Sequence, residues 1–131
     1  MSMVKKKNWL PVGLMACLGL WAATGLAQEK APLTQQGEKV YRARCADCHR
    51  SNGQGLPNIF PALAGSDFVT GAPQGVIQII LEGRRGNMGR MPAWKTTLDD
   101  QEIAAVVTYI RQAWGNQAEA VSAAEVGQQR R

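Results

Sequence analysis

The sequence has few side chains of the kinds that bind metals: its 131 residues include one histidine and three cysteines. Cys17 lies in an N-terminal segment with the features of an export signal, so the rest of the chain keeps only Cys45, Cys48 and His49. A structural zinc site takes about four nitrogen or sulfur ligands, which this set does not supply. The alternating pattern of β-strands is also missing, which argues against a thioredoxin-like cysteine pair. We therefore predict an all-α fold.

Apolar runs long enough for a typical membrane-spanning helix are missing as well. The apolar segment at residues 9–23 is shorter than the span of about 20 residues that a bilayer requires. It follows lysines at positions 5–7 and precedes small residues ending at Ala27, a pattern typical of secretory signal peptides. We predict that residues 1–27 are a signal peptide and that the protein is exported to the periplasm. The alternatives are an uncleaved anchor and a lipoprotein with Cys17 as the lipidated residue.

The excess of positive charge is small once the leader is set aside. The chain has 15 Lys and Arg against 10 Asp and Glu, but three of the lysines belong to the leader. The remaining basic residues are scattered and form no patch with interleaved aromatic residues, so no nucleic-acid partner is predicted. We expect one domain over residues 28–115 and a polar C-terminal tail, 116–131, that frays but contains a possible short helix capped by Ser122 and Glu125.

Two segments in the first half of this domain differ in their patterns. From Thr34, a possible N-cap, a proline-free segment predicts a first helix that runs into the cysteine motif. Residues 50–73 are rich in Gly, Pro, Asn and Ser and predict a long ordered loop with one short helical turn. Loops of this length in compact domains are usually functional, which indicates that this one wraps a bound group.

Two further helices are predicted downstream. Pro73 is suited to the first turn of a short helix that Gly83 ends. The last helix, over residues 99–115, has Asp99 as N-cap, Glu102 as its capping-box partner and Gly115 as its stop. The apolar face of that helix comprises Ile103, Val106, Val107, Ile110 and Trp114.

The chemistry is carried by 45-CADCH-49, which has the C-x-x-C-H pattern of c-type haem attachment. In that pattern the thiols of Cys45 and Cys48 form two thioethers with the haem vinyl groups, and the imidazole of His49 binds the iron. A plain disulfide would leave the histidine and the wrapping loop without a role. One covalent haem would also supply the apolar surface that a small domain lacks. We expect it to pack against Ile59, Phe60, Leu63, Ile77, Ile80, Leu81, Val107 and Ile110.

The sequence after the leader resembles the class I cytochromes c over nearly its whole length. The matching segments are 45-CADCH-49, 53-GQGLPNIFPALAG-65, 89-GRMPAW-94 and 101-QEIAAVVTYIRQAWGN-116. The resemblance implies three or more helices around one covalently attached haem, with the first and last helices crossing near Gly37, Tyr41 and Tyr109. It also implies that Met91 is an axial ligand of the iron and that the Pro61 carbonyl accepts a hydrogen bond from the other ring nitrogen of His49.

A local argument also favours Met91 over Met88 as the ligand. Pro92 restricts the backbone of Met91, so its side chain is held in place, whereas Met88 has no such restraint and is expected to cover the haem edge or face solvent. Trp94 is expected beside the ring, as an apolar wall or as a donor to a propionate. For Arg84, Arg85 and Arg90 three roles remain open: a solvated face, pairing with propionates, and steering of an acidic partner.

Ligation by His49 and Met91 leaves no open position on the iron, and a thioether ligand raises the reduction potential. The resemblance thus implies a periplasmic one-electron carrier and not an enzyme. Its partners would be a quinol-linked complex or dehydrogenase on one side and a terminal oxidase or other acceptor on the other. The alternatives are a cytochrome subunit docked permanently in such a complex, and a gas-binding or peroxidase-like haem protein with a labile methionine. Membrane contact is expected only through a partner or an uncleaved leader.

Overall fold

The computed structural model of the protein describes residues 32–87 and 89–131, and the expected signal peptide lies outside these ranges. In the described part, the helices are joined by loops and the only strands are one pair of two residues each, which confirms the all-α prediction. No helix in it has the length and apolar character needed to cross a membrane. The elements, in chain order, are α1 (Leu33–Arg44), α2 (Ala46–His49), α3 (Asp67–Thr70), α4 (Pro73–Glu82), β1 (Arg84–Arg85), β2 (Arg90–Met91), α5 (Asp100–Gln112) and α6 (Ala123–Gln129).

Helix α1 begins earlier than the capping pattern predicted. Thr34 lies inside the helix, and the N-cap position belongs to Pro32, which makes no side-chain cap. The Pro32 carbonyl instead accepts hydrogen bonds from the amides of Gln35 and Gln36 at 2.8 and 3.1 Å. Proline is tolerated at a helix start because its missing N–H would have no partner there. The prediction of Thr34 as the N-cap was therefore wrong, although the helix itself is confirmed.

Helices α1 and α5 cross where the resemblance implied. A Cβ atom on Gly37 would lie 2.0 Å from the Ala105 carbonyl oxygen, so the two backbones touch at this point. Next to the crossing, the ring centroids of Tyr41 and Tyr109 are 5.4 Å apart, and that of Trp114 is 5.0 Å from Tyr41. This contact holds α1 against α5 at the edge of the core.

The starts of α4 and α5 are as predicted, but the end of α5 is not. Pro73 opens α4 and Gly83 caps it, and Asp99 and Glu102 form the full capping box of α5. The α5 helix ends at Gln112, with Ala113 as its C-cap, so Gly115 does not stop it. Trp114 lies beyond the helix with φ of 54°, yet its ring still packs on the aromatic pair of the crossing.

The C-terminal segment is a packed part of the fold, which contradicts the expectation that it frays. Helix α6 carries the predicted capping box of Ser122 and Glu125 and contacts α5 and α4. Val121 and Val126 are fully buried. Arg130 pairs with Asp100 and donates to the carbonyl oxygens of Lys95 and Leu98. Two apolar side chains and one arginine thus hold a segment that its polar composition suggested was loose.

Candidate functional site

A cavity of about 700 Å³ opens between α1, α4, α5 and the long loop. It brings together the side chains that the sequence singled out: Cys45, Cys48, His49, Met91 and Trp94 all line it, as does Pro61. Its remaining wall is mostly apolar. That wall includes Tyr41, Ile59, Phe60, Leu63, Phe68, Val69, Val76, Ile80, Leu98, Val106 and Ile110.

Three of the side chains expected on this wall lie elsewhere. Ile77, Leu81 and Val107 are fully buried in the core but do not line the cavity. Val106 lines it instead, one residue before Val107 on the same helix. Neighbouring positions on a helix point in directions about 100° apart, so a pattern that identifies the buried side does not separate the cavity wall from the core behind it.

The cysteine motif forms its own short helix after α1. Cys45 is the N-cap of α2, and the amides of Cys48 and His49 both donate to its carbonyl oxygen, at 3.2 and 2.9 Å. Burial, with a smaller contribution from Cys48, raises the pKa of the Cys45 thiol to about 12. The two cysteines are not joined in a disulfide. Both thiols are therefore free for thioether attachment.

His49 is held by a backbone carbonyl from the long loop. It is 8% exposed, and its Nδ1 atom lies 3.0 Å from the carbonyl oxygen of Pro61. The Pro61 carbonyl can only accept, so Nδ1 carries the proton and Nε2 is left with a free lone pair. Gly55 permits this approach, since a Cβ atom there would lie 2.6 Å from the Pro61 oxygen and the φ of Gly55 is 62°.

Met91 reaches the cavity from a tight hairpin. Strands β1 and β2 pair Arg84 with Met91, and the amide of Gly86 donates to the Gly89 carbonyl at 2.8 Å. A Cβ atom on Gly89 would lie 2.7 Å from the Ile59 carbonyl oxygen, so the hairpin packs directly on the long loop. Met91 itself is partly buried against the core. Met88, the rival methionine, lies outside the described residues.

The segment after Met91 is fixed to α4. The amide of Trp94 donates to the Ile80 carbonyl at 2.9 Å, and that of Lys95 to the Leu81 carbonyl at 3.2 Å. On the cavity side, the guanidinium of Arg44 lies 6.0 Å from the Trp94 ring centroid, at the limit of a cation–π contact.

The three arginines of the hairpin do not share one position. All are exposed, but Arg84 and Arg90 line the cavity and Arg85 does not. No Asp or Glu lines the cavity, so its charged wall is positive in the part of the chain that the structure describes. Arg84 and Arg90 are thus placed to pair with acidic groups of a molecule in the cavity, whereas Arg85 is exposed and does not line it.

Two buried polar side chains behind the cavity wall were not predicted from the sequence. Asn116, 5% exposed, bonds to backbone groups of Gly65, Leu63 and Ile110. Arg111, 4% exposed, donates to the carbonyls of Val69, Gly71 and Glu119. Their only local signal was a polar residue within an apolar helix or a few residues after it, which does not identify a partner more than 40 residues away in sequence.

These observations fit a covalently bound haem. The cavity volume lies within the range of about 300–1,000 Å³ that is usual for cofactor pockets, and its walls are mostly apolar with a few convergent polar groups. The two cysteines would serve as the points of attachment, and the imidazole of His49 is oriented by the Pro61 carbonyl. Arg84 and Arg90 supply positive charge at the rim for acidic substituents.

Comparison with known proteins agrees with this assignment. Residues 32–110 match the family described as cytochrome C oxidase, cbb3-type, subunit III. Cytochrome c-552 of Thermus thermophilus is 40% identical over 92 residues, which cover 61% of this chain and 69% of that protein. The cytochrome c subunit of alcohol dehydrogenase (quinone) from Gluconobacter oxydans is 36% identical over 99 residues, covering 69% of this chain. The CcoP subunit of the cbb3-type oxidase of Azospirillum brasilense is 32% identical over 91 residues, covering 65% of this chain.

The match spans different shares of these relatives. It covers 21% of the dehydrogenase subunit and 30% of CcoP, and a second Thermus thermophilus cytochrome c-552 sequence is covered over 66% of its length. Among solved structures, the c-type cytochrome XoxG of Methylobacterium extorquens AM1 is 23% identical with a TM-score of 0.49, over 69% of this chain and 58% of that one. Because the family match alone covers more than half of the chain, the protein belongs to this family of c-type cytochromes and carries covalently bound haem c.

Proposed function

We propose that this cytochrome is a periplasmic one-electron carrier in which His49 and Met91 are the axial ligands of the haem iron. The observation that carries the proposal is that both side chains line the same cavity as Cys45 and Cys48. Bound haem c supplies an iron that gains and loses one electron. The protein supplies the ligands, the apolar surroundings and the contact surface.

The geometry of His49 supports its role as a ligand. With Nδ1 donating to the Pro61 carbonyl at 3.0 Å, only Nε2 has a lone pair for the iron. The hydrogen bond orients the ring and raises the basicity of the ligating nitrogen. Since α2 also contains Cys48, the imidazole and the attachment point belong to one rigid helical turn.

The placement of Met91 supports it as the second ligand. Its backbone is paired with Arg84 in the hairpin, and the chain after it is bonded to α4 through Trp94. A side chain on so constrained a backbone loses little freedom when it binds a metal, which favours stable ligation. With His49 and Met91 both bound to the iron, no coordination site would be left for a small-molecule substrate, and the haem would supply electron transfer.

The test of the axial assignment compares Met91→Ala with Met88→Ala in the holoprotein. We expect Met91→Ala to abolish the methionine-to-iron charge-transfer band of the ferric protein and to let the ferrous protein bind carbon monoxide rapidly. Met88→Ala should keep the wild-type spectrum. The reverse pair of results would assign the ligand to Met88. High-spin iron and rapid carbon monoxide binding in the wild-type protein would overturn the carrier proposal in favour of a gas-binding or peroxidase-like protein.

Export is tested by the intact mass of the protein recovered from the periplasm. We expect a chain that begins at Gln28 and carries one haem. A mass that includes residues before Gln28 would show that the leader is kept and would change the proposed location to a membrane surface.

A permanently docked subunit is the second candidate, and the similarity to dehydrogenase and oxidase subunits favours it. A shuttle needs a small, reversible contact at the haem edge, typically below about 1,200 Å² of buried surface. A subunit would keep its partner through purification. Recovery of the cytochrome from salt-washed membranes in a fixed ratio to a dehydrogenase or oxidase would support the subunit, and recovery as a free protein would support the shuttle.

A further inference from the structure

Asn116 is a buried amide whose hydrogen bonds join two distant parts of the chain. Its Oδ1 atom accepts from the Gly65 amide at 2.8 Å. Its Nδ2 atom donates to the Leu63 carbonyl at 3.0 Å and to the Ile110 carbonyl at 2.7 Å. The opposite orientation of the amide would face donor with donor and acceptor with acceptor, so only this one satisfies the site. Asn116 thus ties the long loop to the last turn of α5.

The loop residues that Asn116 holds come directly after Pro61. The amides of Leu63 and Ala64 both donate to the Gly53 carbonyl, at 2.7 and 3.0 Å, so this part of the loop is closed on itself. The Pro61 carbonyl lies two residues before Leu63 and meets Nδ1 of His49. A shift of Leu63 and Gly65 away from α5 therefore moves the carbonyl that orients the histidine.

We propose that Asn116 is a positioning residue for His49: by fixing Leu63 and Gly65, it keeps the Pro61 carbonyl within hydrogen-bond distance of the imidazole. The inference rests on the proposed function, because it takes His49 as an iron ligand. A strong hydrogen bond from Nδ1 to the Pro61 carbonyl makes the imidazole a more basic ligand. A more basic ligand stabilises the ferric ion more than the ferrous ion, since the ferric ion carries the larger charge. Asn116 thereby lowers the midpoint potential of the haem.

The experiment compares the holoproteins of the wild type, Asn116→Ala and Asn116→Ser. Both replacements are neutral, so no new charge acts on the iron. We expect a higher midpoint potential and faster solvent exchange of the His49 Nδ1 proton in both variants. A tenfold change in the ratio of oxidised to reduced protein corresponds to 59 mV for one electron. The control is Gln112→Ala, which removes an exposed donor to the Ala118 carbonyl at 3.1 Å and should leave both quantities unchanged.

A purely structural role for Asn116 predicts a different pattern. Both variants would then lose thermal stability while the midpoint potential and the exchange of the Nδ1 proton stayed at wild-type values, and this result would overturn the inference. If neither variant folds, hydrogen exchange in the wild-type protein tests whether Asn116 positions His49. The inference requires the Gly65 amide to be protected to about the same degree as the His49 Nδ1 proton. Rapid exchange of Gly65 beside a protected Nδ1 proton would contradict it.

Failure of the proposed function would give a different result from failure of the Asn116 proposal alone. If wild-type spectra show that His49 is not an iron ligand, the change in midpoint potential has no basis and the proposed function itself is wrong. If His49 is a ligand and the Asn116 variants leave its Nδ1 proton and the potential unchanged, only the positioning role is wrong.

Discussion

At Gly37 the space available for one side chain decides how two helices meet. A Cβ atom at this position would lie 2.0 Å from the Ala105 carbonyl oxygen and 2.7 Å from Cβ of Tyr109. Both neighbours belong to the body of α5 and cannot move aside as a flexible side chain would. The only residue that permits this crossing without a shift of backbone is glycine, even though glycine weakens a helix interior by about 0.5–1 kcal/mol relative to alanine.

We expect Gly37→Ala to destabilise the holoprotein by about 1–3 kcal/mol, because overpacking at the crossing outweighs the gain in helix propensity. The measurement is denaturant unfolding. The matched control is Gly75→Ala in α4, where the nearest atoms belong to the half-exposed ring of Phe68 at 3.0 and 3.1 Å. That variant should keep its stability or gain slightly. Equal effects at the two positions would contradict the steric argument.

Among the elements, α6 differs most from what its composition indicated. Its start is fixed by the Ser122 and Glu125 pair: the Ser122 amide and hydroxyl both donate to Glu125 Oε2, at 2.8 and 2.7 Å. These hydrogen bonds hold the pKa of Glu125 below its ordinary value of 4.5. The bond from the Ser122 backbone has the larger effect, and the bond from its hydroxyl has the smaller one. A lowered pKa means that folding favours the ionised carboxylate, so the charge of Glu125 supports the helix.

The stability of α6 should therefore depend on acid pH. The contribution of Glu125 is complete above pH 4.5 and is lost as the pH falls through the lowered folded-state pKa. We expect the protection factors of the α6 amides, which are corrected for the intrinsic exchange rate at each pH, to fall over this window in the wild type. Glu125→Gln should exchange faster at neutral pH and show a weaker pH response, whereas Glu119→Gln, at an exposed neighbouring position, should behave as the wild type. An unchanged profile in Glu125→Gln would contradict the assignment.

On the scale of the whole molecule, the cavity lined by Cys45, Cys48 and His49 has mostly apolar walls. Contact of these walls with the macrocycle of a bound haem removes apolar surface from water, which stabilises the fold by about 25 cal/mol for each Å² buried. The core residues that surround the cavity, such as Val69, Ile80 and Ile110, thus require the cofactor as part of their packing.

The protein produced without haem attachment should therefore lose its fixed tertiary structure. We expect near-UV circular dichroism and dispersed methyl signals in NMR spectra to be present in the holoprotein and absent from the apoprotein, with some helix remaining in far-UV spectra. An apoprotein with sharp, dispersed signals would show that the helices pack without the cofactor, and it would refute this account of the core.

The predictions that the structure confirms depend on residues close together in the chain. The all-α class, the start of α4 at Pro73 and the capping box of Asp99 and Glu102 follow from patterns within four or five residues. The predicted end of α5 was wrong because it depends on contacts with residues far away in the sequence. Gly115 has the chemistry of a helix stop, but α5 ends sooner, and its next residues turn so that Trp114 packs on Tyr41 and donates to the Ser51 carbonyl at 3.1 Å.

The amino-acid sequence alone indicated the cofactor, because two thiols for attachment and an imidazole for the iron stand at a fixed spacing within one helical turn. It did not determine which side chains hold the long loop against α5. Asn116 meets Leu63 and Gly65 across separations of 53 and 51 residues, and Arg111 meets Val69 across 42. A buried amide or guanidinium is satisfied by whichever backbone groups the folded chain brings to it. Only the tertiary structure decides those partners, because no local pattern encodes a contact between segments that first meet when the core forms.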